Sequence, residues 1–353
     1  MKSFYRLTAA LAAAACCAPL HADPTTHPAD HAPIGVMADH RHAAGEWMLS
    51  YRYMRMQMQG SRDGRDRLSA DTIATTVANR FAGRPMQPPT LRVVPLQMTM
   101  DMQMLGLMWA PNNWVTGLLM GQWISKEMEH VTYQGGTGTN QLGRFTTRAE
   151  GWGDTTVAAL IGPPEALHGA QRWHFQVGLS LPTGSNEEQD QVLAPNGNQP
   201  VLRLPYPMQL GSGTYDLVGG ATWSQRSGRH TLGAQYQGVV RQGKNDQGYA
   251  LGDVHGASLW LARDWTASLG SGLRLNYEHR SKVDGMDPAI VAPVQTADPD
   301  NYGGKQLWAQ ASVNTLFAGH RIAVEAGLPL WRKLNGPQLE TDWSVTLGYQ
   351  RAF

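Results

Sequence analysis

Cysteine is nearly absent from this chain. The 353 residues include two, Cys16 and Cys17, both inside the first 22 positions. Residues 1–22 have a basic start (Lys2, Arg6), an Ala/Leu-rich apolar stretch and small residues around Leu20-His21-Ala22. This reads as a secretory signal peptide. The residues just before either cysteine are Ala or Cys, without the leucine a lipoprotein site would carry. Cleavage after Ala22 leaves a mature chain with no disulfide, thiol nucleophile or thiolate metal ligand. No apolar run of helix-spanning length follows, and mean hydropathy is −0.36, which excludes a helical membrane protein. Excess charge of one sign is also missing. A net charge of +1 gives no argument for a nucleic-acid partner. No Gly-x-Ser-x-Gly elbow stands beside His255, His279 or His320, and no His-Glu-x-x-His sequence occurs. We therefore expect no enzyme and no required cofactor.

What the chain does have is alternation. Period-two segments recur near 46–58, 93–109, 114–130, 147–161, 172–181, 214–224, 230–241, 249–262, 266–279, 305–317, 321–330 and 341–353. Their lengths suit the roughly 9–11 residues a tilted strand needs to cross a bilayer. A polar average does not count against such a barrel, because its lumen and loops are polar. The expected fold is all-β: an antiparallel transmembrane β-barrel of about twelve strands spanning 46–353. A His-rich periplasmic lead-in, 23–45, precedes it. Short connections at 110–113, 225–229, 263–265 and 318–320 alternate with longer ones at 59–92, 131–146, 182–213, 242–248, 280–304 and 331–340. This is the pattern of short periplasmic turns and longer outer loops, with 162–171 the weakest fit. Trp109, Trp114, Trp173, Trp223 and Trp265 all lie beside the expected periplasmic turns, where indole suits the interface. The outer connection 59–92 holds a helix-compatible stretch, Ser69 to Phe81, consistent with either a plug or an exposed loop.

The terminal strand is the sharpest signal. Trp343, Val345, Leu347, Tyr349, Arg351 and Phe353 share one face. An amphipathic last strand ending on Phe resembles the closing strand of bacterial outer-membrane barrels. That resemblance implies a Gram-negative outer membrane, with its lipids and the barrel-assembly machinery as partners. Oligomeric state stays open.

Facing follows from the same alternation. Leu273, Leu275, Val324 and Leu328 fall on the phase opposite Arg274, Glu278 and Glu325. An Arg or Lys toward mid-bilayer lipid costs about 2–4 kcal/mol. Arg52, Asp101, Arg274, Glu278, Glu325 and Asp342 are therefore the expected lumen residues. They would either wet a conduit or pair and close it.

Two further clusters stand out. His27, His31, His40 and His42 gather with Asp30, Asp39 and Met37 before the first strand. Imidazole is the commonest metal ligand, and thioethers favour Cu(I). The candidate copper ligands are His31, Met37, His40 and His42, with Met54, Met56 and Met58 on the lumen face of the first strand; a solvated lead-in is the plainer reading. Met98, Met100, Met102 and Met104 are expected to face lipid, because Asp101 and its neighbours take the opposite phase. Methionine as adaptable apolar filler accounts for both sets.

The runs His31–Gly60 (HAPIGVMADHRHAAGEWMLSYRYMRMQMQG), Leu96–Trp109, EGWGD at 150–154 and LNGPQLETDW at 334–343 resemble the outer-membrane barrels grouped as "MetA-pathway of phenol degradation". The resemblance covers most of the mature chain and implies uptake of small aromatic or hydrophobic compounds. It supplies no catalytic residues. The expected function is thus passive passage of a small solute through the barrel. A metal-handling barrel and a structural or adhesive barrel are the alternatives.

Overall fold

The computed structural model describes residues 27–353. The signal-peptide assignment at 1–22 lies outside them. Twelve strands dominate: β1 (Trp47–Gly64), β2 (Val93–Asn112), β3 (Val115–Tyr133), β4 (Gln141–Trp152), β5 (Thr155–Ile161), β6 (Gln171–Leu181), β7 (Asp216–Ser227), β8 (His230–Arg241), β9 (Val254–Asp264), β10 (Leu269–Arg280), β11 (Gly304–Phe317) and β12 (His320–Ala352). Eleven of them form a closed antiparallel ring, β12 pairing with both β11 and β1; β4 and the short strand Asp66–Leu68 attach outside that path. Closure leaves the ring without a free edge, which a bilayer demands because it offers backbone groups no water.

β12 has 33 residues, roughly three times what one crossing needs. It doubles back. Leu334 is opposite Gly304 of β11 and also opposite Gly64 of β1. Lower down, the Arg321 guanidinium donates to Gln350 at 2.5 Å, so the two arms lie side by side. Gly336 at the reversal has φ +70°, a conformation that favours glycine. The expected outer loop at 331–340 is therefore strand almost throughout. Counting both arms of β12, and β4 with β5 as one broken crossing, gives the dozen crossings read from the sequence.

Short connections lie at the end where Trp47 and Phe353 exchange backbone hydrogen bonds of 3.2 and 2.8 Å. The ambiguous connection after β5 contains a short helix, Glu165–His168. Around this end, the rings of Trp47 and Trp109 stack at 5.4 Å, Trp114 and Trp265 are exposed, and Trp173 is opposite Trp223. Above them the outward face is apolar: Leu273, Leu275, Val324, Leu328 and Leu330 are all exposed. Among the described residues no helix is long and apolar enough to cross a membrane; the strands do the crossing.

The outer loops fold onto one another. Ser69 caps the helix Ala70–Thr76 by accepting from the Thr72 N–H. That helix packs Ile73 and Ala74 against Leu91, Val94, Val131 and Tyr133. A second apolar cluster joins Phe81, Tyr206, Tyr249, Ile290, Val294 and Tyr302 from four different outer segments.

Candidate functional site

The segment before β1 is not a solvated periplasmic lead-in. Ala29, His31, Ala32, Ile34, Val36, Ala38, His40, Arg41 and His42 are all buried, held by inward-facing side chains from around the ring. The Asp30 carboxylate pairs with Arg172 at 3.1 Å and Arg226 at 2.9 Å. Arg321 donates to the Ala32 carbonyl at 2.6 Å, Arg52 to Ile34 at 3.0 Å, and Gln235 to Met37 at 2.8 Å. Arg41 donates to the carbonyls of Asn113, Gly162 and Pro163, each at 2.8 Å. A polar segment reads as exposed in sequence, but here the lumen supplies the partners that water would have supplied. The segment plugs the periplasmic half of the barrel.

The expected lumen charges divide. Arg52 points inward to the plug. Arg274 and Glu325 form an inward ion pair of 2.6 Å, almost without solvent exposure. Glu278 lines a cavity above the plug and pairs with Arg280 at 3.3 Å. Asp101 is a correction: it faces outward, accepting from the Tyr53 hydroxyl at 2.5 Å and from Arg55 at 3.1 Å. There it is neutralised by its cross-strand neighbours on the outward face. Asp342 is another correction. Gln57 is opposite Trp343 and Met58 opposite Thr341, so Asp342 is the extra residue of a bulge and does not line the cavity. Of the expected assembly-signal residues, Trp343 and Leu347 are exposed, Val345 is half-buried, and the Tyr349 hydroxyl meets His320 at 2.8 Å. Phe353 closes on Trp47.

The methionines of β2 are the third correction. Met54 is opposite Met102, Met56 opposite Met100, and Met58 opposite Met98. Directly opposed residues share a face of the sheet, so both sets face the lumen. Asp101 misled the sequence reading, because its charge implied the wrong face for the whole strand. With Met128 the two sets line a cavity of about 490 Å³ above the plug. Leu204, Met208 and Leu210 of the 182–215 segment fold inward against Met98 and Met128, and the Lys126 ammonium donates to the carbonyls of Pro207 and Gln209 at 2.8 and 2.5 Å. The 182–215 segment thus enters the lumen, and Thr296 and Tyr302 of the 280–304 connection join it, while no residue of 59–92 lines this cavity.

The wall beside this cavity is discontinuous. β3 pairs first with β4 and then, lower down, with β5. β6 pairs with β5 but not with β4. Beside β4 the next element is the 182–215 segment, touching through the Arg148 N–H on Asp190 at 2.7 Å. Asp154, at the β4–β5 step, accepts from the N–H groups of Gly184 and Ser212 at 3.1 and 2.8 Å. The cavity reaches Asp154, Leu210, Gly211 and Ser212 at this break.

The histidines come together in the plug. The rings of His31 and His40 are 5.1 Å apart, those of His40 and His42 4.9 Å. Met37 is held apart from them through its carbonyl, which accepts from Gln235 and Gln237 of the wall. Met54, Met56 and Met58 line the cavity above, which His31, His40 and His42 do not.

No protein-family model matches the chain, and no curated protein matches it. Among solved structures it is similar to the COG4313 outer membrane channel from Pseudomonas putida F1: 14% identity, TM-score 0.54, over 91% of this chain and 100% of that one. It also aligns with the transport unit of the autotransporter AIDA-I from Escherichia coli, at 9% identity and TM-score 0.45 over 93% and 95% of the two chains. A Pseudomonas aeruginosa FadL homologue aligns at 8% identity and TM-score 0.41 over 88% and 90%. At such identities the first match speaks for the fold alone, and the other two are too distant to carry weight. The fold is that of an outer-membrane β-barrel.

Proposed function

We propose that this protein is a passive outer-membrane channel for small hydrophobic solutes. The observation that carries the reading is the methionine-lined cavity between the plug below and the packed loops above. Thioethers are apolar, polarizable and adaptable, so they accommodate varied apolar shapes without demanding a hydrogen bond. The same cavity reaches Asp154, Leu210 and Ser212 beside the break between β4 and β6, where the 182–215 segment packs. The resemblance to the phenol-degradation group fits this solute class, and the apolar outward face and closing strand fit the Gram-negative outer membrane.

Binding of a hydrophobic fluorophore such as N-phenylnaphthylamine to the purified barrel tests it. Met54, Met100 and Met102 replaced together by Asn should weaken binding at least about ten-fold, a loss of about 1.4 kcal/mol. Binding equal to wild type in a correctly folded variant would remove the cavity from the path.

A further inference from the structure

Within the plug, the turn closed by the Val36 N–H on the Pro33 carbonyl at 2.8 Å reverses the chain. Ala38 then adopts φ +52°, a left-handed conformation uncommon for a residue with a side chain. The reversal brings His31 back to Asp39 and His40. One ligand atom from each of these three lies within 4.8 Å of the others. An ion bound by two imidazoles at about 2.0–2.1 Å, with tetrahedral angles, sets their ring centroids about 5 Å apart. His31 and His40 already stand at 5.1 Å.

The carboxylate is held in place. Asp39 Oδ2 accepts from the Ala32 N–H at 3.0 Å, and Oδ1 lies 2.9 Å from His40 Nδ1. His42 flanks the group, its ring 4.9 Å from that of His40 and its Nδ1 3.6 Å from Glu46. His31, His40 and His42 are all buried, so a ligand set here would be shielded from competing water.

We propose that His31, Asp39 and His40 bind one divalent transition-metal ion of the Zn²⁺ or Cu²⁺ class, closing the reversal of the plug. Two imidazoles and a carboxylate form a borderline donor set, poorly suited to Ca²⁺, which takes six or more oxygens, and to Cu(I), which prefers sulfur. The ion takes the place of the hydrogen bond between Asp39 and His40 Nδ1. This site is independent of the solute path and stands or falls separately from it.

The test uses the untagged mature barrel, freed of metal with EDTA and titrated with Zn²⁺ and with Cu²⁺ in a calorimeter. Folding is checked by heat-modifiable electrophoretic mobility. One equivalent should bind, and Cu²⁺ should show coupling to two imidazole nitrogens by electron paramagnetic resonance. Asp39→Asn should weaken affinity at least about ten-fold. The pair His31→Gln/His40→Gln should abolish binding, whereas His27→Gln at the exposed start of the segment should leave it unchanged. If the pair does not fold, Asp39→Asn and the paramagnetic spectrum decide the matter. Absence of uptake by folded wild type, or wild-type affinity in Asp39→Asn or in the folded histidine pair, would overturn the assignment.

Discussion

Arg274 and Glu325 meet inside the lumen across the intervening strand β11, and Gly35 of the plug rests directly against the pair. The Gly35 N–H donates to Glu325 at 3.4 Å. A Cβ at Gly35 would fall 2.2 Å from a Glu325 oxygen and 2.4 Å from an Arg274 nitrogen. A side chain at Gly35 would have to push the Glu325 carboxylate and Arg274 guanidinium aside.

Gly35→Ala should therefore lift the plug off the pair. Overpacking of this kind costs about 1–3 kcal/mol, against a plug held largely by hydrogen bonds. Planar-bilayer recordings should show larger or more frequently fluctuating currents than wild type. Identical traces would mean the plug is not seated on this contact.

Glu325→Gln should be more damaging than removal of both charges. Breaking a buried pair from one side costs about 3–5 kcal/mol, because the Arg274 guanidinium keeps its charge without its counter-ion. The double change Arg274→Met/Glu325→Leu should restore most of the loss. Urea unfolding of the three proteins gives the comparison; equal destabilisation by the single and double variants would refute it.

Arg92 was not singled out by sequence reasoning, yet it organises the outer rim. Fully buried, it donates to the carbonyls of Ala74, Gln134, Gly135, Thr137 and Gly138 at 2.9–3.1 Å. Lysine has three donors and no planar fork. Arg92→Lys should loosen the 134–140 loop, at a cost of about 1.5–3 kcal/mol for a lost charged hydrogen bond. Faster proteolysis there, with the barrel intact, is the expected readout.

Acid should loosen the contact between outer loops at Asp300. This carboxylate accepts from Lys282 at 3.1 Å and Arg80 at 3.0 Å. These bonds, with the attraction of the two cations, hold its carboxyl below the ordinary carboxylate range. A depressed value means the contribution is complete above the unfolded value of about 4 and is lost as pH falls through the folded one. Both partners are partly exposed, so the effect is small and screened by salt. Amide hydrogen-exchange protection around Arg80 should fall with pH in wild type and be lower at neutral pH in Asp300→Asn, which keeps the Arg80 bond to Asp298.

The barrel was legible because its code is local. A strand alternates by covalent geometry, and a charge toward lipid is costly enough to leave a clear mark, as in Leu273, Arg274 and Leu275. The closing strand and the tryptophans beside short turns carry the same local information. The facing of β2 failed where one outward ion pair, Arg55 with Asp101, broke the rule that charge points inward. Pairing with β1 overrode it, since register places Met102, Met100 and Met98 opposite methionines already inside.

The sequence alone therefore determined the strands, their approximate number and the end of the barrel at which the chain closes. Those properties follow from backbone periodicity and from the cost of polar groups in lipid. Tertiary structure decided the rest: that β12 turns back on itself, that residues 28–42 plug the periplasmic half of the lumen, and that His31 returns to Asp39 and His40. Such facts depend on partners hundreds of residues apart, as when Arg321 meets the Ala32 carbonyl. No local pattern records a hydrogen bond whose other half lies across the barrel.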